Sequence, residues 1–448
     1  MSSLNILILW TYQSTYIESI VTGLILDDNN VTIIYSEKLS SYPELQDVHN
    51  LATRYFIGES DLPCEIFSKN WSIVFVAGWH KKYFRKFLRI RADVIRVMYT
   101  DTQDQKNLKF LIYGLLFKRL RRIYFDGGYV PGIRQLKFLE RLGFSSESAS
   151  IGGISFDDST FQKSNYKLSS RNGPFLFVGR ICYEKNLQNL CLAYDLYRQT
   201  STNPRELQLV GPIENFVPLE QTGVHLMGFQ SKREIASLLN SCRAFLFPSL
   251  FEPFGVALIE AAACGAPLLA SNNVGAVEHL ISANNGFIVN PNDVEEISRR
   301  MLEFDEWNEI VLQDASDTSE ALAEYFSPKR WVIRFKNLST QIQHQKGYLE
   351  KEPNSILFFL SVIPKYRREV VDRLKEVFDQ KISFQTSKSS SDGLVVTDDT
   401  LRGIGRGRIL NFYNILFVQI GNWRKTLHSD CLILDLNPRN LKIGRAHV

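Results

Sequence analysis

The chain has 448 residues, enough for roughly three domains of ordinary size, and its 44% apolar content supports substantial cores, so it is globular. The net charge of +4 argues neither for nor against a polyanionic partner, and the six cysteines, scattered without C-x-x-C spacing, read as small buried apolar residues in a reducing compartment. Leu4–Trp10 is too short and lacks the basic start of a secretion signal, and Phe110–Phe117 is too short to span a bilayer, so a cytoplasmic protein is expected.

From Leu4 to about Ser155, short apolar runs alternate with longer helical stretches. The predicted strands are Asn5–Trp10, Val31–Tyr35, Ser72–Ala77, Val94–Tyr99, Arg122–Phe125 and Ser148–Ile151. The predicted helices include Tyr16–Leu26, Lys106–Lys118 and Ile133–Leu142. This alternation implies a parallel sheet covered on both faces, with ligands gathering beyond the carboxyl ends of the strands. Those ends are Trp10–Gln13, Gly78–His80, Asp101–Gln103 and Asp126–Gly128, which are expected to line a cleft. His80 taken alone also reads as a structural histidine.

Charge concentrates between Lys81 and Arg96, where seven Lys or Arg residues stand against one acid, Asp93. A second basic cluster runs from Lys118 to Arg122. Two readings stand: solvated helix faces, or a surface that meets anionic lipid with Phe84 and Phe87 inserted. Nucleic acid ranks behind both, because no recognition motif accompanies the charge.

A second half begins near Pro174. Phe175–Val178 runs as a strand into Gly179-Arg180, and Tyr183-Glu-Lys185-Asn186 leads into a helix whose Leu187, Leu190, Tyr194 and Tyr197 recur at helical spacing. A guanidinium fork and an ammonium flanking one turn suit a pyrophosphate, each charged hydrogen bond contributing about 1.5–3 kcal/mol. Strands are predicted at Leu207–Val210 and Val224–Met227, and a helix at Lys232–Cys242. There follows Phe245-Leu-Phe-Pro-Ser-Leu-Phe-Glu252-Pro-Phe-Gly-Val-Ala-Leu-Ile-Glu260-Ala-Ala-Ala-Cys-Gly265. It reads as a strand, a loop around Pro248–Pro253, and an Ala-rich helix ending near Gly265 and Pro267. With Pro253 at the helix start, the N–H groups of Phe254, Gly255 and Val256 are free to meet an anion. Glu252 falls at the helix mouth and Glu260 two turns deeper, both able to accept hydrogen bonds from sugar and ribose hydroxyls. An anion site beside hydroxyl acceptors points to a nucleotide sugar. Taken alone, the two glutamates also read as a loop cap and a solvated helix residue.

Phe245–Gly265 resembles the donor-binding signature of the retaining family-4 glycosyltransferases. The likeness extends to Gly179-Arg180 with Lys185, to Gly228-Phe229-Gln230, to Ser271–Gly275 with Glu278, and to Gly286–Asp293. It covers about residues 4–345 and is strongest between Phe175 and Asp293. The resemblance implies an α/β protein of GT-B architecture, two Rossmann-like doubly wound parallel-sheet domains facing a cleft. Their expected extents are 1–157 and 158–327, with a helix at about 328–345 crossing back onto the first. It further implies that Arg180 and Lys185 neutralise the departing diphosphate, with Gly179 in the same turn and the helix start at Phe254, Gly255 and Val256 adding its dipole. Glu260 would hold the ribose, Glu252 the donor-sugar hydroxyls, and Gly228 and Phe229 the base. His80 would hydrogen-bond the donor sugar or support the reacting centre. Transfer would proceed with retention, without metal or cofactor, from a nucleotide-sugar donor to a glycan or lipid-linked acceptor in cell-surface polysaccharide or glycolipid synthesis.

One departure bears on the acceptor. Where the family carries two glycines after the first strand, this chain has Trp10-Thr-Tyr-Gln-Ser-Thr-Tyr16, so side-chain contacts from Tyr12 or Gln13 are expected in place of backbone ones. Two other readings stand beside the transferase: another GT-B sugar-nucleotide enzyme such as an epimerase, and a silent homologue that binds a partner glycosyltransferase.

Beyond Lys351 the pattern changes. A strand from Ser355, a helix at Tyr366–Asp379 and strands at Gly393–Thr397, Asn414–Ile420 and Cys431–Asp435 predict a partial second glycosyltransferase-like domain over 353–448, without a counterpart to the two glutamates. Residues 443–448 resemble one translated frame of a sequencing-adapter oligonucleotide, which would make them artefactual and the natural chain longer.

Overall fold

The computed structural model describes residues 3–37, 52–58, 60–104, 114, 117–118, 121, 123–164, 171–215 and 220–349, with strands at 356–360, 382–386, 407–412, 415–420 and 431–434. It divides into two units, Met1–Gln343 and His344–Val448.

The larger unit holds two sheets. The first contains β1 (Asn5–Tyr12), β2 (Asn30–Glu37), β3 (Thr53–Phe56), β4 (Ile73–Val76), β5 (Ile95–Met98), β6 (Gly127–Val130) and β7 (Ala149–Ile151) in the order β3-β2-β1-β4-β5-β6-β7, every pair parallel. The second contains β8 (Phe175–Val178), β9 (Leu207–Val210), β10 (Val224–Gly228), β11 (Ala244–Phe247), β12 (Leu268–Ser271) and β13 (Gly286–Val289) in the order β10-β9-β8-β11-β12-β13, again parallel. The helices are α1 (Thr15–Leu26), α2 (Cys64–Ser68), α3 (Lys82–Ile90), α4 (Ile133–Arg141), α5 (Leu187–Thr200), α6 (Lys232–Ser241), α7 (Val256–Ala263), α8 (Val277–Leu280), α9 (Val294–Glu306), α10 (Glu309–Ala323) and α11 (Pro328–Leu349). This is the expected doubly wound α/β arrangement, present twice. In each sheet the strand order reverses once, between β1 and β4 and between β8 and β11, which opens a crevice at the carboxyl ends of those strands.

The interior strands are near-continuous apolar runs because both faces are covered, whereas the edge strands β3 and β10 are largely unburied. Along β1, Ile6, Ile8 and Trp10 enter one core while Leu7 and Leu9 enter the other. The first of these cores is closed by α11. Its Trp331, Phe335, Leu338 and Ile342 share one helical stripe and pack with Ile8, Phe75 and Tyr129.

Three expectations are corrected here. Arg122–Phe125 is not a strand: residues 123–124 are helical and the strand begins at Gly127. Two successive glycines do not read as strand, yet glycine is needed at 127, where a Cβ would lie 2.7 Å from the Ser148 carbonyl oxygen, while one on Gly128 would press on the end of the Leu139 side chain. Asp126 therefore sits at the amino end of β6, bound to Arg96 (2.9 Å), and Asp126–Gly128 is not cleft lining. The strand β3 has no counterpart among the predicted elements. Cys64 is exposed, whereas Cys182, Cys191, Cys242 and Cys264 are buried, and all five are free thiols.

The basic stretch is also corrected. Phe84, Phe87 and Leu88 of α3 are completely buried in the core beneath the first sheet, so no aromatic is left to insert into lipid. Lys81 pairs with Glu37, Lys86 with Asp61, Arg91 with Asp93 and Arg96 with Asp126. The predicted helix Lys106–Lys118 and the cluster Lys118–Arg122 lie largely outside the described residues.

In the smaller unit, β14 (Ile356–Leu360) pairs in parallel with β15 (Ile382–Thr386) and β18 (Cys431–Leu434), while β16 (Gly407–Phe412) and β17 (Ile415–Ile420) form an antiparallel pair. β15 and β16 were not among the expected strands. The expected helix Tyr366–Asp379, the strand Gly393–Thr397 and residues 443–448 lie outside the described residues.

Candidate active site

The crevice of the second sheet is built from the turn after β8 and the loop after β11. β8 runs into Gly179 and Arg180, and a single helical turn, Tyr183–Lys185, follows. Asn186 then takes a left-handed conformation (φ 60°), which asparagine tolerates better than most residues. Its buried amide donates to the carbonyls of Pro248 (3.0 Å) and Pro291 (2.6 Å), locking this turn against the loop after β11. The Leu250 N–H adds a bond to the Glu184 carbonyl (2.8 Å). Lys185 is thereby carried to the end of β11, with its ammonium 4.9 Å from the centre of the Phe247 ring and ion-paired to the Glu252 carboxylate.

Glu252 lies in a segment that runs beside residues 273–276. Its N–H donates to the Asn273 carbonyl (3.3 Å), and its carbonyl accepts from the Gly275 N–H (3.1 Å). The approach demands glycine at 275, where a Cβ would lie 2.1 Å from the Pro253 oxygen. The helix does not start at Pro253. It starts at Val256, after Gly255 in a left-handed conformation (φ 108°), because the Phe254 ring is drawn into the core beside Phe326 and His279. The N–H groups of Phe254 and Gly255 make no backbone hydrogen bond among the described residues, and Val256 opens the first turn of α7. Glu260 consequently falls in the second turn of α7, nearer the mouth than the spacing from Glu252 implied.

Glu260 makes no side-chain hydrogen bond among the described residues. Burial pushes its carboxyl up to about 8, with the Lys232 ammonium opposing and the Asp157 carboxylate adding to the shift. Lys232 and Asp157 are themselves paired at 3.1 Å. Arg180 is more than half exposed and bonded to Glu214 (2.8 Å). Gly228 ends the edge strand β10 and Phe229 follows it, both exposed, two strands from β8.

Across from this crevice stand the carboxyl ends of β1, β4 and β5. Burial and then the Asp101 carboxylate push the Tyr12 hydroxyl up, and the Arg180 guanidinium opposes them, so Tyr12 and Arg180 sense each other across the cleft. Protein packed around Asp101 raises its carboxyl and Glu252 raises it further, although solvent still reaches the group from the cleft. Gln13, the other expected substitute for the glycine pair, is turned away and bonded to the buried Glu18 (3.0 Å). His80 is exposed in the turn before α3 and makes no hydrogen bond among the described residues. Lys185, Glu252 and the start of α7 are thus brought together, whereas His80 is not joined to them by any contact. Gln135 and His279, which also reach this region, carry no sequence pattern that marks them. No group of three His, Cys, Asp or Glu side chains among the described residues converges as a metal site.

Residues 158–313 match the family model described as Glycosyl transferases group 1. These residues form a glycosyl transferases group 1 domain. The chain is 29% identical over 151 residues to the O-antigen chain mannosyltransferase B of Escherichia coli, a match spanning 31% of this chain and 39% of that relative. It therefore covers well under two thirds of that protein's length. Among solved structures, sucrose-phosphate synthase from Thermosynechococcus elongatus superposes with a TM-score of 0.56 at 13% identity, over 77% of this chain and 99% of that one. HepE from Anabaena, in complex with UDP-glucose, superposes with a TM-score of 0.54 at 16% identity, over 77% and 100%. The architecture is GT-B, with the glycosyl transferases group 1 domain as its second half. No helix among the described residues is long and apolar enough to cross a membrane.

Proposed function

We propose that the chain is a retaining, metal-independent glycosyltransferase that moves a sugar from a nucleotide-sugar donor to a glycan or lipid-linked acceptor. The observation that carries this reading is the meeting of Lys185, Glu252 and the start of α7 where the second sheet reverses its strand order. Lys185 and Arg180 take the donor diphosphate and stabilise the charge that develops as it leaves, and the unbonded N–H groups at Phe254–Val256 add to that field. Glu252, released from Lys185 when phosphate arrives, accepts hydrogen bonds from the sugar hydroxyls. Glu260 accepts them from the ribose, and Gly179, Gly228 and Phe229 border the path to the base. His80 and Tyr12 face the sugar and acceptor from the first sheet. The relative that makes O-antigen chains supports a role in surface polysaccharide or glycolipid synthesis. Free thiols accord with a reducing, cytoplasmic setting. Of the basic stretch, Lys82, Arg85 and Arg89 have no ion-pair partner among the described residues. Three bases contribute roughly 3 kcal/mol near an anionic surface before screening, a transient attraction rather than an anchor.

The test is a panel of sugar nucleotides with glycan and lipid-linked acceptors, assayed in a chelator. Transfer in the presence of EDTA with the anomeric configuration kept is the expected result. Conversion of donor without acceptor would indicate an epimerase, and binding without turnover a silent homologue.

Glu260 gives the proposal a pH signature. Burial raises its pKa to about 8, and the ionised form is the stronger acceptor toward two ribose hydroxyls. Donor affinity should therefore rise between pH 7 and 9 and flatten in Glu260→Gln. The same shift acts on stability with the opposite sense. The folded carboxyl stays protonated where the unfolded one ionises, so Glu260 lowers stability as pH climbs from about 4.5 to 8. Titration calorimetry across this range checks the first, and a flat wild-type profile would remove Glu260 from the donor site.

A further inference from the structure

The donor loop of the second half is held by side chains of the first. Gln103, beyond β5, donates its amide to the carbonyl oxygens of Glu252 (2.9 Å) and Pro253 (2.9 Å). Gln135, in α4 and fully buried, donates to the carbonyls of Pro253 (2.5 Å) and Asp101 (3.2 Å). Every one of these acceptors is a main-chain carbonyl, which cannot donate, so only the nitrogen end of each amide can face them. The Pro253 oxygen, with two lone pairs, takes one amide from each glutamine. The Gln135 Oε1 has no partner among the described residues, so its head group is held by the two carbonyls alone.

The neighbouring contacts land on the same segments. Arg134 bonds the Glu278 carboxylate (2.8 Å) and the Asn272 carbonyl (2.9 Å), and the Ile133 N–H donates to His279 Nε2 (3.3 Å). A Cβ on Gly132 would lie 2.7 Å from the Phe254 ring. Apart from the Gln135 bond to Asp101, the side-chain contacts of residues 132–135 and Gln103 named here meet 252–254 or 272–279, two segments that lie side by side, the first of them carrying Glu252. The bonded carbonyls belong to Glu252 itself and to the next residue, so a shift of either peptide turns the Glu252 side chain and the free N–H groups that follow.

We propose that Gln103 and Gln135 are positioning residues: they clasp the donor loop so that Glu252 and the start of α7 reach their working geometry only when the two halves of the larger unit are together. The proposal rests on the donor-site reading above and deepens it. Without the clasp the second half still binds a nucleoside diphosphate through Lys185, Arg180 and Glu260, but its sugar-contacting groups are no longer set.

Gln103→Leu is the variant of choice, being close in shape and only half-buried, and Gln103→Glu sets a carboxylate against the same two carbonyls. Hydrogen exchange over 252–260 in the ligand-free protein should quicken severalfold in Gln103→Leu, and further in Gln103→Glu, while 187–200 is unchanged. With donor and acceptor, kcat should fall at least tenfold while the Kd for UDP or GDP moves less than threefold. Unchanged exchange over 252–260, or quickened exchange with wild-type kcat, would overturn the clasp. Failure of UDP and GDP to bind the wild type would sink the donor-site reading instead, and the exchange measurement, which needs no ligand, would still decide the clasp.

Discussion

Lys185→Ala is expected to lower kcat/KM for the sugar nucleotide by roughly 100-fold, with most of the loss in kcat. The ammonium stands at the crevice between β8 and β11, fixed by the Asn186 lock and the Phe247 ring, where the leaving diphosphate gathers charge. A cation already in place needs no reorganisation at the moment of bond cleavage, which is why removing it weighs on the transition state more than on binding. Its partner predicts an effect of opposite sign. The Lys185 ammonium is ion-paired with Glu252, so a nucleoside diphosphate must displace that carboxylate. Glu252→Gln should bind the free nucleoside diphosphate more tightly, by about threefold or more, as the competing negative charge is gone. The same variant should transfer sugar more slowly, because an amide is the poorer acceptor for two hydroxyls. Melting temperatures near wild type are expected for both variants, since neither side chain completes a core. Wild-type kinetics in Lys185→Ala, or weaker diphosphate binding in Glu252→Gln, would undo this assignment.

The fold was legible in the sequence where a strand is an unbroken apolar run. β1, β4, β8 and β11 could be read that way because interior strands covered on both faces favour such runs. It was not legible at β6, where glycine at 127 makes room for the Ser148 carbonyl and for Ile342, a residue far away in the chain. Nor was it legible at α3, whose interleaved bases and aromatics look alike whether the rings face lipid or a core. The depth of Phe84 and Phe87 settles that, and depth depends on the sheet above them.

The site divides in the same way. Lys185, Glu252 and Glu260 were named as candidates from local patterns and the family resemblance those patterns carry, because the turn after β8 and the start of α7 are local structures. Gln103 and Gln135 act across the cleft on main-chain carbonyls of Glu252 and Pro253, 149 and 118 positions away. Gln103 was expected at the cleft because it follows a strand, and Gln135 was not; what either one binds was illegible, because a carbonyl has no sequence signature. The helix start was misplaced by three residues for a related reason. Proline marked a permitted first position, but burial of the Phe254 ring decided where the helix begins.

The largest effect on stability is expected at Trp331. It is fully buried in α11, with ring centres 4.7 Å from Phe335, 5.2 Å from Tyr129 and 5.6 Å from Phe75. Its carbonyl accepts from the Tyr129 hydroxyl (3.2 Å), so side chain and backbone both tie the returning helix to the first sheet. Trp331→Ala removes the centre of that cluster and leaves a cavity that aromatic neighbours cannot collapse to fill, at a cost of about 3–5 kcal/mol. The melting transition of the first half should fall on the order of 10 °C. Trp331→Phe should lose much less, because the indole N–H it removes is buried without a hydrogen-bond partner among the described residues. The second half supplies its own core from Phe175 to Phe326, so Trp331→Ala should still bind a nucleoside diphosphate below its melting point. Circular dichroism melts with calorimetry of diphosphate binding separate the two effects. A melting temperature within a degree or two of wild type would mean that α11 is not what closes the first sheet.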